Sequence, residues 1–174
     1  RAVLTPIDLR HLRPDEVLFW SDLHWGHNRD FIYGPRGFKT VEEHDETLVH
    51  RWNEVCTDQS TVFHLGDLVF KDPEGKRFEE LVRRLRFKTL YHLWGNHQSG
   101  SKQVYQRVLL ESCLQLAGVA EVYPLSWWPR GQPDHTVVFL PQYVEVNVGK
   151  VETLVLQHYA IESWNRMAKG STHL

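Results

Sequence analysis

Cysteine is scarce: the 174 residues hold two, Cys56 and Cys113. Neither stands in a metal-binding spacing, which excludes a thiolate zinc site and a disulfide-stapled scaffold. Both fall in helical patterns and read as small core residues of a reducing, cytoplasmic compartment. No apolar run approaches 18 residues, so a membrane-spanning helix is excluded, and no secretory-signal pattern opens the chain. Charge of one sign is also lacking. Twenty Lys and Arg against 22 Asp and Glu leave a net charge of −2. That provides no broad basic field for nucleic acid, and it speaks against a nuclease. No internal repeat and no low-complexity stretch is present, so a solenoid is excluded.

What remains is ordinary for one globular domain over 1–174: 41% hydrophobic and 24% charged residues. Eleven His and seven Trp are the unusual counts. Histidine enrichment suits metal chemistry, and its placement carries the argument. The apolar run Val17-Leu18-Phe19-Trp20 predicts a buried strand, followed by Ser21-Asp22-Leu23-His24-Trp25-Gly26-His27. Asp22 and His24, two apart at a strand end, offer one oxygen and one nitrogen to a common crevice. The design then repeats. Thr61-Val62-Phe63-His64-Leu65 runs into Gly66-Asp67, and Thr89-Leu90-Tyr91-His92-Leu93-Trp94 runs into Gly95-Asn96-His97. Three strands would thus deliver Asp22, His24, Asp67, Asn96 and His97 to one sheet edge. Each Gly allows a bend that a Cβ would obstruct.

In this ordered set the chain resembles the calcineurin-like metallophosphoesterases. Asp22-Leu23-His24, Gly66-Asp67 and Gly95-Asn96-His97 match that family's first three motifs, and His158 in Gln157-His158-Tyr159-Ala160 is similar to the fourth. Trp52-Asn53 and Trp164-Asn165 resemble features of its small bacterial and phage members. The resemblance covers roughly Val17 to Leu174. It implies that Asp22 and His24 hold one divalent metal, that Asn96 and His158 hold the other, and that Asp67 bridges them. It implies Mn, with Fe, Zn, Co or Ni as alternatives, and a hydroxide shared by the two ions that attacks phosphorus. His97 is implied to donate a proton to the leaving oxygen without binding metal. Three departures stand out. Gln98 replaces the usual acid after Gly-Asn-His, Ala160 replaces the usual Pro, and the family's Gly-His-x-His is not in the sequence. Gly170-Ser171-Thr172-His173-Leu174 looks like its lead-in, so the expectation is a chain that stops before its last strand, with His173 a flanking strand residue.

Elsewhere, Arg1 to Glu16 is expected to be an N-terminal arm packed on the body. The Gly- and Pro-punctuated loop from His27 to Gly37 overhangs the crevice, so His27 and Arg36 are candidate phosphate contacts. Thr40-Val41-Glu42-Glu43 is a capping box opening a helix, with Leu48, Trp52 and Val55 on its core face and His44 and His50 exposed. A second helix starts near Asp72-Pro73, with Phe78, Leu81, Val82 and Leu85 inward. The basic cluster Arg83, Arg84, Arg86 and Lys88 reads as a solvated face. A third helix runs from Ser101 to Gly118. Four strands follow, Val122–Leu125, Val137–Leu140, Tyr143–Val148 and Val151–Gln157, with a Gly149-Lys150 hairpin and a short helix over Ile161–Ala168. The second half is expected to be mostly antiparallel. This order predicts an α/β protein with a four-layer α/β/β/α sandwich, which the resemblance also implies. The expected function is metal-dependent hydrolysis of a small phosphodiester or phosphomonoester. The alternatives are a binding scaffold of the same fold with impaired catalysis, or a nuclease.

Overall fold

The computed structural model describes residues 6–72, 75–97, 136–149, 152–161 and 171–174. Among these residues eight strands form two sheets: β1 (Ile7–Leu9), β2 (Val17–Trp20), β3 (Thr61–His64), β4 (Thr89–Leu93), β5 (Thr136–Leu140), β6 (Tyr143–Val148), β7 (Glu152–Gln157) and β8 (Thr172–His173). Three α-helices among the described residues accompany them, α1 (Asp30–Tyr33), α2 (Val41–Val55) and α3 (Lys76–Val82). The protein is mixed α/β. No helix among the described residues is long and apolar enough to cross a membrane.

The sheet that matters for the site has the order β2-β3-β4-β5 and is parallel throughout. Its register is level: Trp20 lies opposite His64, and His64 opposite His92. The residues that follow β2, β3 and β4 therefore leave from one edge. Both faces of this sheet are covered, which is why its strands read as nearly continuous apolar runs. Val62, Leu90, Val137 and Phe139 pack with Val49 and Trp52 of α2 and with Phe78, Leu81 and Val82 of α3. Phe63, Leu93, Val138 and Leu140 pack with Val144, Val146, Leu154 and Leu156 of the second sheet. Helices, parallel sheet and second sheet thus form successive layers. The expected helix over Ser101–Gly118, that over Ile161–Ala168 beyond its first residue, the strand Val122–Leu125 and Cys113 lie outside the described residues.

The second sheet has the order β1-β6-β7-β8. Tyr143 to Val148 alternates as expected, with Val144, Val146 and Val148 buried. The β6–β7 hairpin is antiparallel, and Gly149 takes a φ of 61° in its turn. The rest of the second half corrects the antiparallel expectation. β5 joins β4 in parallel and β8 joins β7 in parallel. Apolar patterning sets which face is buried and does not encode strand direction. The N-terminal arm contributes β1, whose Ile7 and Leu9 are buried beside β6. His173, as expected, is a strand residue.

The capping box forms as predicted, with Thr40 Oγ1 accepting from the Glu43 amide at 3.1 Å. Trp52 and Asn53 tie α2 to the chain after α3. Trp52 Nε1 donates to Arg86 O at 2.9 Å, and Asn53 exchanges bonds of 2.8 Å with Arg84 O and the Arg86 amide. Two expectations for α2 fail. His44 is completely buried, and Val55 is 56% exposed. The inward stripe runs through His44, Asp45, Val49, Trp52 and the following Cys56, which turns Val55 outward at the last position. Cys56 is buried and its thiol is pushed up to about 11 by desolvation, as suits a small core residue. The α3 helix begins three residues later than expected, at Gly75-Lys76. Asp72 still serves its start, because its carboxylate accepts from the amides of Arg77 and Phe78 at 3.2 and 2.8 Å. The basic cluster is solvated as expected, with Arg83 on Glu79, Arg84 on Glu46 and Arg86 on Asp58.

Candidate metal centre

The chain after β2 does not part from the chain after β3. Asp22 N donates to Gly66 O at 3.1 Å, His24 N to Asp67 O at 2.9 Å, and Trp25 N to Leu68 O at 3.1 Å. These bonds carry the pairing past the strand ends, where the backbone turns left-handed. Asp22, His24 and Asp67 have φ of 53°, 54° and 56°. Such angles are costly for residues with a Cβ and persist where the surroundings over-determine them. Three of the four non-glycine residues with positive φ among the described residues are candidate ligands; the fourth is Lys71.

Asp67 stands at the centre and is 1% exposed. Its Oδ2 faces three imidazole nitrogens: His158 Nε2 at 3.5 Å, His24 Nε2 at 3.8 Å and His97 Nε2 at 4.0 Å. Its Oδ1 accepts from the His97 amide at 2.9 Å. Asp22 Oδ1 lies 3.4 Å from His24 Nε2, and that contact, with a hydrogen bond from Ser21, draws the Asp22 carboxyl down to about 2. Two triads result, His24 with Asp67 and His97, and Asp22 with Asp67 and His158. Asn96 completes the second, its Oδ1 being 2.9 Å from His158 Nε2. Asp22, His24, Asp67, Asn96, His97 and His158 therefore do share one crevice, with Asp67 and His24 buried in its floor and Asp22 and Asn96 open to solvent.

Two glycines make the approach possible. A Cβ on Gly95 would lie 2.0 Å from Asp67 Oδ1, and one on Gly66, at φ 117°, would lie 2.3 Å from His158 Nδ1.

The donor chemistry fits divalent cations. Separations of 3.5–4.0 Å between carboxylate and imidazole atoms are too long for direct hydrogen bonds, yet suit two donors each about 2.0–2.2 Å from a shared ion. His158 Nδ1 lies 2.9 Å from the Leu65 carbonyl, which can only accept, so this nitrogen carries the hydrogen. In the neutral ring Nε2 then has a bare lone pair, and it meets Asn96 Oδ1, another acceptor. A cation bound by both satisfies that pair, and a carbonyl holding the remote nitrogen is the usual orientation device for a ligating His.

The two candidate phosphate contacts meet other groups of the protein. His27 is 3% exposed, stacked on Phe70 with centroids 3.4 Å apart and planes 5° apart. Burial, helped by the neighbouring His24 and His97, pushes it down to about 4, so its ring is neutral near pH 7. Arg36 donates to Asp22 O at 2.8 Å and to Leu23 O at 3.0 Å, and it meets His44 Nε2 at 2.9 Å. Its guanidinium is engaged by the turn that carries the ligands. His44 and Asp45 were missed by sequence reasoning; the available signal was their place on the same helical face as Val49 and Trp52.

No family model matches the chain. No solved structure matches it either. The chain is similar to an uncharacterised protein of Methanocaldococcus jannaschii, 36% identical over 82 residues. That alignment covers 47% of this chain and 46% of the archaeal protein, so it spans less than half of each.

Proposed function

We propose that the protein is a metal-dependent phosphoesterase of the calcineurin-like type, acting on a small phosphodiester or phosphomonoester. The reading includes the full four-layer sandwich and a pair of first-row divalent ions, Mn foremost. The observation that carries it is the buried Asp67 carboxylate ringed by three imidazole nitrogens at distances that suit shared ions. Asp22 and His24 would hold one ion, Asn96 and His158 the other, and Asp67 both. Bound divalent ions would neutralise charge on phosphoryl oxygens and acidify water at neutral pH.

The chain's own groups supply the rest. Asp67 places its two oxygens for opposite duties, with Oδ1 fixed by the His97 amide and Oδ2 left to the cations. The same bond sets His97 beside the cluster. His97 is partly exposed, so its ring can hand a proton to a departing alkoxide at the crevice mouth. His27, neutral and stacked on Phe70, packs against the rings of His24 and His97 at 5.5 and 5.7 Å and limits their rotation.

The test is metal content by mass spectrometry after Mn loading, with hydrolysis of p-nitrophenyl phosphate and bis(p-nitrophenyl) phosphate. Retained Mn and Mn-dependent turnover are expected. A chain that takes up no Mn, Fe, Zn, Co or Ni overturns the proposal. A second reading is a binding scaffold without turnover, because Gln98 and Ala160 stand where the resembled family carries an acid and a Pro. Metal uptake with no hydrolysis across both substrates would select it.

A further inference from the structure

Buried histidine needs partners for two ring nitrogens, and His44 has both, in an order that fixes its tautomer. Arg36 Nη1 stands 2.9 Å from His44 Nε2, and a guanidinium can only donate. Nε2 is therefore the acceptor, and Nδ1 carries the hydrogen. It donates to Asp45 Oδ1 at 2.8 Å. The other oxygen, Asp45 Oδ2, accepts from the Gly26 amide at 2.8 Å. At the far end, Arg36 donates to Asp22 O at 2.8 Å and to Leu23 O at 3.0 Å. A continuous chain of hydrogen bonds thus leaves α2 and grips the ligand turn at two points. One grip is on the carbonyls of Asp22 and Leu23, before His24. The other is on the Gly26 amide, after it. Phe38 closes over the His44 ring at 5.3 Å.

The grips span the costly part of the turn, with Asp22 at φ 53° at the first grip and His24 at φ 54° between the two. The strand-end bonds from the Asp22 and His24 amides hold one side of this segment. They leave the Asp22 and Leu23 carbonyls and the Gly26 amide to be satisfied elsewhere, and those are the groups Arg36 and Asp45 take.

We propose that Arg36, His44 and Asp45 are positioning residues: a clamp that holds Asp22 and His24 in the left-handed conformation that aims their donor atoms at Asp67. The clamp touches neither metal nor substrate. Its effect on metal affinity rests on the metal-centre reading above; its effect on the backbone does not.

The experiment uses three variants of the full chain: His44→Leu, which keeps bulk and removes both bonds; His44→Gln, which restores an acceptor toward Arg36; and Arg36→Lys, which keeps charge and loses the fork. Hydrogen exchange of the peptide covering residues 21–28 is followed in the metal-free protein. Mn affinity is measured by titration calorimetry. His44→Leu should exchange faster in that peptide and bind one Mn about 10–100-fold more weakly, the range for an outer partner of a metal ligand. The second Mn and the substrate KM should be unchanged, and His44→Gln should recover most of the loss. A simple loss of stability would not spare one ion or be rescued this way. A folded His44→Leu with wild-type exchange and affinity overturns the clamp. If His44→Leu fails to fold, Arg36→Lys, at an exposed position, decides by the same two readouts. If the wild-type chain binds no metal, the metal-centre reading fails, and the exchange rates alone decide the clamp.

Discussion

The cluster has two banks held by different means. Asp22 and His24 come from a turn beyond β2, and side chains from the following loop and from α2 fix its backbone. Asn96, His97 and His158 come from strand ends, where backbone groups do the fixing: the Leu65 carbonyl for His158 and the bond from the His97 amide to Asp67. The first bank needs outside struts because its backbone is in a costly region. The second needs empty space instead, at Gly66 and Gly95, because the chains approach too closely for a Cβ. A site can be made precise by adding contacts or by removing atoms, and the two strategies fail differently.

Breaking what the banks share should have the largest effect. Asp67→Ala is expected to lose both ions, weakening each by more than about 100-fold, beyond what loss of an outer partner costs. Metal content per chain and turnover should fall together. Retention of either ion would show that Asp67 does not join the banks. Comparing His24→Ala with His97→Ala comes next. His24→Ala should lose one ion, whereas His97→Ala should keep both and slow hydrolysis about 10²–10⁴-fold, most for poor leaving groups. Equal metal loss in the two variants would make His97 a ligand, as its place in the triad with His24 and Asp67 also allows.

The glycines test the second bank by stability. Gly66→Ala should cost roughly 1–3 kcal/mol of unfolding free energy, from strain and collision with His158. Gly37 is a useful control, since its φ is also positive, 89°, but a Cβ there meets nothing within 4 Å. Urea unfolding of Gly66→Ala and Gly37→Ala separates collision from strain, and equal losses would dismiss the collision. The smallest effect concerns the core under the second bank. His64 is fully buried at the end of β3, and desolvation, with His92 nearby, holds it well below its ordinary value of 6.5. The unfolded chain takes up a proton below pH 6.5 that the folded chain refuses. The associated stability is complete above pH 6.5 and is lost as pH falls below it, by at most about 1.4 kcal/mol per pH unit. His64→Phe should flatten the decline between pH 7 and pH 5 in urea titrations, and an unchanged decline would assign the acid sensitivity elsewhere.

The ligand candidates of both banks were legible in the sequence, and the support of the first was not. Apolar run, Gly and polar residue recur at β3 and β4, and level parallel register turns that linear pattern into a shared edge. Asp22 and His24 were legible for the same reason. Their support was not, because Arg36, His44 and Asp45 form no local motif. A helical His next to Glu42 and Glu43 reads as surface, although it shares the face of α2 that carries Val49 and Trp52 inward. The direction of β5 was hidden too, since Val137 to Leu140 would bury equally well either way up.

The pairing of β1 with β6 has a consequence in time. Ile7 lies beside Val146, so during synthesis β1 waits for a partner about 140 residues later. At ribosomal rates of about 5–20 residues per second, that wait is roughly 7–28 seconds. Until then β1 has no ladder, and once made, β6 presents its alternating valines with one edge unpaired. This interval is when the chain is open to strand exchange with a neighbouring copy. Crowded or fast expression should therefore raise aggregation that starts at β6, after the turns that follow β2, β3 and β4 have been synthesised.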